Sequence, residues 1–99
     1  MQEMQNTKSN RWLTTLTIDA KKVGIARTDI IEALENENIE SRPVWKPMHM
    51  QPVFNEYPFY GTGIAEEMFK NGLCLPSGSN LSDKDRDRIE KAILNCLKK

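Results

Sequence analysis

Pro43, Pro47 and Pro52 fall in one stretch, SRPVWKPMHMQPVF at residues 41–54, and each removes a backbone N–H and fixes φ near about −65°. Prolines at that spacing exclude a helix, and they leave a strand only an edge, a bulge or an end to occupy. The same stretch carries Trp45, Met48, Met50 and the chain's only histidine, His49, a set too apolar for an ordinary solvent loop. It opens a loop running from residue 46 to residue 63. A loop of that length in a small domain is either functional or disordered, and its aromatic content argues against disorder.

The flanking sequence supplies regular elements for this loop to hang from. In RWLTTLTID, Trp12, Thr14, Leu16 and Ile18 alternate with Leu13, Thr15 and Thr17, a strand pattern rich in β-branched and aromatic residues. Asp19–Arg27 reads as a loop. Thr28 or Asp29 then caps a helix through IIEALENEN, with Asp29 and Glu32 at capping-box spacing. Ile30, Ile31 and Leu34 form its apolar face, and Asn36 or Asn38 offers a left-handed stop. Ile39–Trp45 is the second expected strand. IAEEMFKN is a short helix for which Gly72 serves as the residue beyond the C-cap, LCLP is a short buried strand, and PSGSN is a turn. Ser82 caps the last helix, where Ile89, Ala92, Ile93, Cys96 and Leu97 recur at helical spacing. The expected fold is therefore α+β: a three-stranded, mainly antiparallel sheet packed by two main helices plus one short helix. Residues 1–10 are expected to be a flexible lead-in or linker, and residues 11–99 the domain.

Charge and cysteine usage narrow the function classes. Lys and Arg total 14 and Asp and Glu total 14, so no net field draws the chain to nucleic acid or an anionic membrane. No apolar run reaches the ~20 residues of a membrane helix, and MQEMQNTKSN lacks the apolar centre of a signal peptide. Cys74 and Cys96 are too few for a disulfide scaffold, which points to a reducing cytoplasm. A zinc site would need His49, both cysteines and a carboxylate without any ligand spacing such as C-x₂-C.

His49 is the side chain best suited to acid–base or hydrogen-bonding work near neutral pH; the plainer reading is a structural histidine bonded to loop backbone. Cys74 with His49 would make a thiol nucleophile, but Cys74 in LCLP reads better as a small buried hydrophobe. Arg42 offers a fork to a carboxylate or phosphate, or else pairs with a helix glutamate. Trp45 offers a stacking face for a flat ligand, or else belongs to the core. GTG at 61–63 lacks the lysine and spacing of a phosphate loop and reads as a flexible lead into the helix. DKDRDR is a solvated helix face. No complete active site assembles from these residues.

SNRWLTTLTID, DIIEALENENIESRPVWKPMHMQPVF and AEEMFKNGLCLPSGSNLSDKDRDRIEKAI resemble, in order, the C-terminal end of the DegT/DnrJ/StrS sugar aminotransferases. These are fold-type I, pyridoxal-phosphate (PLP) enzymes that make amino sugars on nucleotide carriers. The resemblance covers roughly residues 9–97 and is most specific in R-P-x-W-K-P-M-H-x-Q-P and G-L-C-L-P-S-G. It implies transamination in a longer parent, with glutamate as amino donor and a nucleotide-linked keto-sugar as acceptor, in cytoplasmic biosynthesis of cell-surface polysaccharide or lipopolysaccharide. The Schiff-base lysine, the aspartate at the pyridine nitrogen and the phosphate contacts come, in that family, from a large N-terminal domain absent from these residues. The resemblance thus implies no catalytic or cofactor-binding residue here, no PLP held by this chain alone, and a homodimeric parent. By position it places His49 toward the nucleotide-sugar, bonding sugar or phosphate, with Arg42, Trp45 and Lys46 along the cleft wall; Arg11 and Trp12 also match. The rival reading is a free-standing α+β binding or interaction module without catalysis.

Overall fold

The computed structural model describes residues Glu3–Lys98. Thr14, Thr15 and Thr17 around Leu16 favour extended backbone through their branched Cβ atoms, and they form β1 (Thr14–Thr17). With β2 (Arg42–Pro43) and β3 (Gly72–Leu75) it makes a three-stranded sheet in the order β1-β3-β2, antiparallel at both pairings. Leu16 and Pro43 both register with Leu73, while Thr15 and Arg42 both register with Cys74. The alternation of a pleated strand therefore gives the sheet a Leu16–Leu73–Pro43 face and a Thr15–Cys74–Arg42 face.

The expected α+β class holds, with four adjustments. The second strand shrinks from Ile39–Trp45 to two residues, because prolines at 43 and 47 leave few N–H groups to extend the ladder; Val44 still donates to the Gly72 carbonyl at 3.2 Å. Part of the expected Asp19–Arg27 loop is a one-turn helix, α1 (Ala20–Val23), made by its caps. Asp19 accepts from the Lys21 N–H at 3.2 Å, and Gly24 at φ 76° closes the turn.

α2 (Arg27–Asn36) is capped at Ala26 rather than at Thr28 or Asp29. Asp29 works from three residues inside, its carboxylate accepting from the Ala26 N–H at 2.6 Å. Asn38, at φ 55°, is the left-handed stop the sequence offered. α3 (Ile64–Asn71) runs directly into β3, so Gly72 is extended (φ −98°, ψ 144°) and not left-handed. Its glycine is needed for space: a Cβ would lie 2.5 Å from the Met68 carbonyl oxygen and 2.9 Å from Val44 Cγ2.

α4 (Asp83–Leu97) begins on Ser82 as expected. The Ser82 hydroxyl accepts from the Asp85 N–H at 3.2 Å, and Asp85 accepts from the Ser82 N–H at 3.0 Å and from its hydroxyl at 2.6 Å. The Ser82 hydroxyl, and then its N–H, holds the Asp85 carboxyl below the usual carboxylate range.

The core lies between α2, α4 and the Leu73 face of the sheet. Ile30, Leu34 and Leu73 are fully buried, joined by Ile39, Ala92 and Cys96, with Leu16, Leu75, Ile89 and Ile93 packed around them. Each fully buried aliphatic side chain contributes about 1.5–3 kcal/mol from lost apolar surface. Two arginines tie the layers together. Arg88 donates to the Glu37 carbonyl at 2.7 Å, fastening α4 to the end of α2. Arg27 donates to the carbonyls of Phe69 and Gly72 and lies 4.6 Å over the Phe69 ring, fixing α2 to the α3–β3 junction.

Candidate functional site

Beyond β2 the prolines shape the path. The chain forms two three-residue 3₁₀ turns, Met48–Met50 and Pro52–Phe54, short enough to coexist with prolines at their ends. Much apolar surface here stays in solvent: Trp45 is 64% exposed, Val53 70%, Tyr57 69% and Tyr60 90%. Patches of this kind mark surfaces that meet something else.

His49 is the exception, with a side chain only 17% exposed. Its Nε2 lies 2.6 Å from Oε1 of Glu66 in the first turn of α3, and its ring stacks on Phe59 with centroids 3.5 Å apart and planes 14° apart. The plainer sequence reading, a bond to loop backbone, thus gives way to a carboxylate supplied by another element. Glu66, Phe59, Gly61 and Gly63 all belong to this cluster, and sequence reasoning did not assign them to it. Glu66 pairs with His49 across 17 positions, beyond the reach of any local sequence pattern.

The other candidates lie apart from His49. Arg42 is exposed and pairs with Glu40, its Nε donating at 2.7 Å. The partner is a strand-side neighbour two residues away and not a helix glutamate, because Arg42 sits on the edge strand. An exposed pair of this kind contributes about 0–1 kcal/mol. Trp45 packs against Trp12 with ring centroids 5.7 Å apart. Arg42 and Trp45 line one open groove of ≈ 640 Å³ together with Ser41, Cys74, Leu81 and Arg88. Lys46 is exposed, and its carbonyl accepts from the Gln51 amide at 3.2 Å. The structure therefore joins Arg42 with Trp45, sets Lys46 beside them in sequence, and turns His49 toward α3.

Cys74 is half-buried and Cys96 buried, both as free thiols. His49 is engaged with Glu66 and Phe59, so no thiol–imidazole pair is assembled among the described residues. Those residues also contain no group of three His, Cys, Asp or Glu placed to hold a metal, and no helix long and apolar enough to cross a membrane.

A model of the DegT/DnrJ/EryC1/StrS aminotransferase family matches residues 1–94. The chain is 47% identical over 93 residues to EpsN of Bacillus subtilis (strain 168), named provisionally as a pyridoxal phosphate-dependent aminotransferase, covering 90% of this chain and 23% of EpsN. It is 33% identical over 86 residues to GDP-perosamine synthase of Caulobacter vibrioides, covering 87% of this chain and 23% of that enzyme. Among solved structures, Helicobacter pylori PseC, an aminotransferase involved in pseudoaminic acid biosynthesis, superposes with a TM-score of 0.73 at 18% identity, over 87% of this chain and 23% of PseC. At that identity the likeness speaks for the fold, and the fold is the aminotransferase one. The sequence match, spanning nearly the whole chain but less than a quarter of its relatives, makes this chain a member of the DegT/DnrJ/EryC1/StrS aminotransferase family.

Proposed function

We propose that this chain is the C-terminal small domain of a PLP-dependent sugar aminotransferase that acts on nucleotide-linked keto-sugars for cell-surface polysaccharide in the cytoplasm, and that it is incomplete on its own. The observation that carries the reading is the extent of the match: 90% of this chain aligns with 23% of EpsN. Residues 11–99 form the domain and residues 1–10 its lead-in.

The described residues do not fit PLP by themselves. A Schiff-base lysine needs a shielded amine whose proton is easily lost, yet every described lysine is solvent-exposed, and no lysine lines the groove beside Trp45. The cofactor, the homodimer contacts and the glutamate site therefore belong, on this reading, to the N-terminal PLP-binding domain that this chain partners. This chain's part is to wall and position. His49 hydrogen-bonds the nucleotide-sugar, Arg42 and Lys46 offer cations toward its anionic groups, and Trp45 gives an apolar wall. The exposed loop aromatics meet the larger domain and exclude water from the cleft.

The test is a chimera in which this chain replaces the matching quarter of EpsN. It is expected to bind PLP and, on addition of glutamate, to convert it to the pyridoxamine form, read by absorbance. A chimera that folds and loads PLP but ignores glutamate, while EpsN itself responds, would favour a free-standing binding module. The isolated chain mixed with PLP is expected to give no stoichiometric complex; a tight one-to-one complex would refute the division of labour.

A further inference from the structure

The GTG triplet before α3 has a specific use in the structure. At Gly61, an added Cβ would collide with the Phe59 ring, 3.0 Å from Cε1 and Cε2. At Gly63, at φ 83°, an added Cβ would stand 3.2 Å from Glu66 Oε2. The two glycines thus leave room for the two groups that hold His49: the ring stacked on its face and the carboxylate at its Nε2. We propose that Phe59, Gly61, Gly63 and Glu66 form a clamp that fixes the ring plane of His49 and keeps a proton on its Nε2.

The chemistry follows from the donor inventory. A carboxylate only accepts, so a contact of 2.6 Å places the imidazole proton on Nε2. Among the described residues the Glu66 carboxylate is the one hydrogen-bond partner of the His49 ring. Glu66 and Phe59 act through His49 and are positioning residues. The inference rests on the reading that His49 faces the nucleotide-sugar, and it adds the groups that hold the ring in place there.

The experiment is long-range ¹H–¹⁵N correlation of the ¹⁵N-labelled 99-residue chain, about two pH units above the ordinary histidine value of ~6.5. The wild-type ring is expected as the Nε2–H tautomer with a slowly exchanging Nε2 proton. Glu66→Ala is expected to lose that proton to solvent exchange, and Glu66→Gln, whose carbonyl still accepts, to keep it. Backbone amide spectra of each variant report folding, and the wild-type tautomer alone decides the matter if Glu66→Ala does not fold. Phe59→Leu and Gly61→Ala are both expected to remove the aromatic ring-current shift from the His49 ring protons. A wild-type proton on Nδ1, an unchanged Nε2 proton in a folded Glu66→Ala chain, or an unmoved ring-current shift in Gly61→Ala would each overturn the clamp. None of these would touch the aminotransferase reading, which the EpsN chimera tests without reference to His49.

Discussion

Ile30, Leu34 and Leu73 are fully buried, whereas Trp45, Tyr57 and Tyr60 stand 64–90% exposed. Among the described residues the core between α2, α4 and β3 is aliphatic apart from Cys96, and no tryptophan, tyrosine or phenylalanine is buried. Burying one of these aromatics would remove more apolar surface from water than burying an aliphatic residue. Here the aliphatic core supports a fold, and Trp45, Tyr57 and Tyr60 are held outward on a proline-stiffened path. The contrast separates what keeps the domain folded from what the domain presents.

The largest expected effect breaks the first half. Leu73→Ala empties the centre of β3, where every layer meets, and should cost about 2–5 kcal/mol. Against the ~5–15 kcal/mol of a typical domain that is a large share, and a urea melt should show a sharply lowered midpoint. Gly72→Ala tests the junction of α3 and β3. Its backbone angles suit alanine, so the whole effect is the Cβ pressing on the Met68 carbonyl and Val44. A loss of about 1–3 kcal/mol is expected, and an unchanged melt would mean that the junction yields freely.

Ser82→Ala should cost about 0.5–2 kcal/mol in a thermal melt by removing the cap of α4. It also carries a pH signature. The Asp85 carboxyl titrates below its ordinary value in the folded chain, so its contribution is present above the unfolded value of ~3.9 and is lost as pH falls through the folded one. In Ser82→Ala this acid-side loss should shrink. At the small end, Tyr60→Ser on the 90%-exposed position should leave stability within about 0.5 kcal/mol of wild type. A larger loss would show that the loop aromatics support the fold after all, and the contrast between the two halves would fail.

The buried half was the more legible. Ile30 and Leu34 announce themselves by helical spacing, Leu16 by alternation, and the Ser82–Asp85 cap by its residue types, because each signal lies within a few residues. α1 escaped notice because AKKV has no apolar face; Asp19 and Gly24 create it from outside. Gly72 was misassigned for a related reason: glycine after a helix usually marks a left-handed stop, but here α3 meets β3 without a linker and space, not handedness, demands it. The clamp on His49 was illegible, since Phe59 and Glu66 reach it only after the loop folds back. Arg42, Trp45 and Lys46 were singled out by residue type alone, and their type does not reveal that Glu40 and Trp12 already engage two of them.

The contact between Trp12 and Trp45 has an optical consequence. Trp12 precedes one edge strand and Trp45 follows the other, with β3 running between those strands. These are the chain's only tryptophans. Their indoles are near enough for their transitions to couple, so the coupled circular-dichroism band exists only while both edge strands are paired to β3. That band reports assembly of the sheet, while the helical signal is dominated by α2 and α4. Followed side by side during unfolding, the two would show whether the strands or the helices let go first.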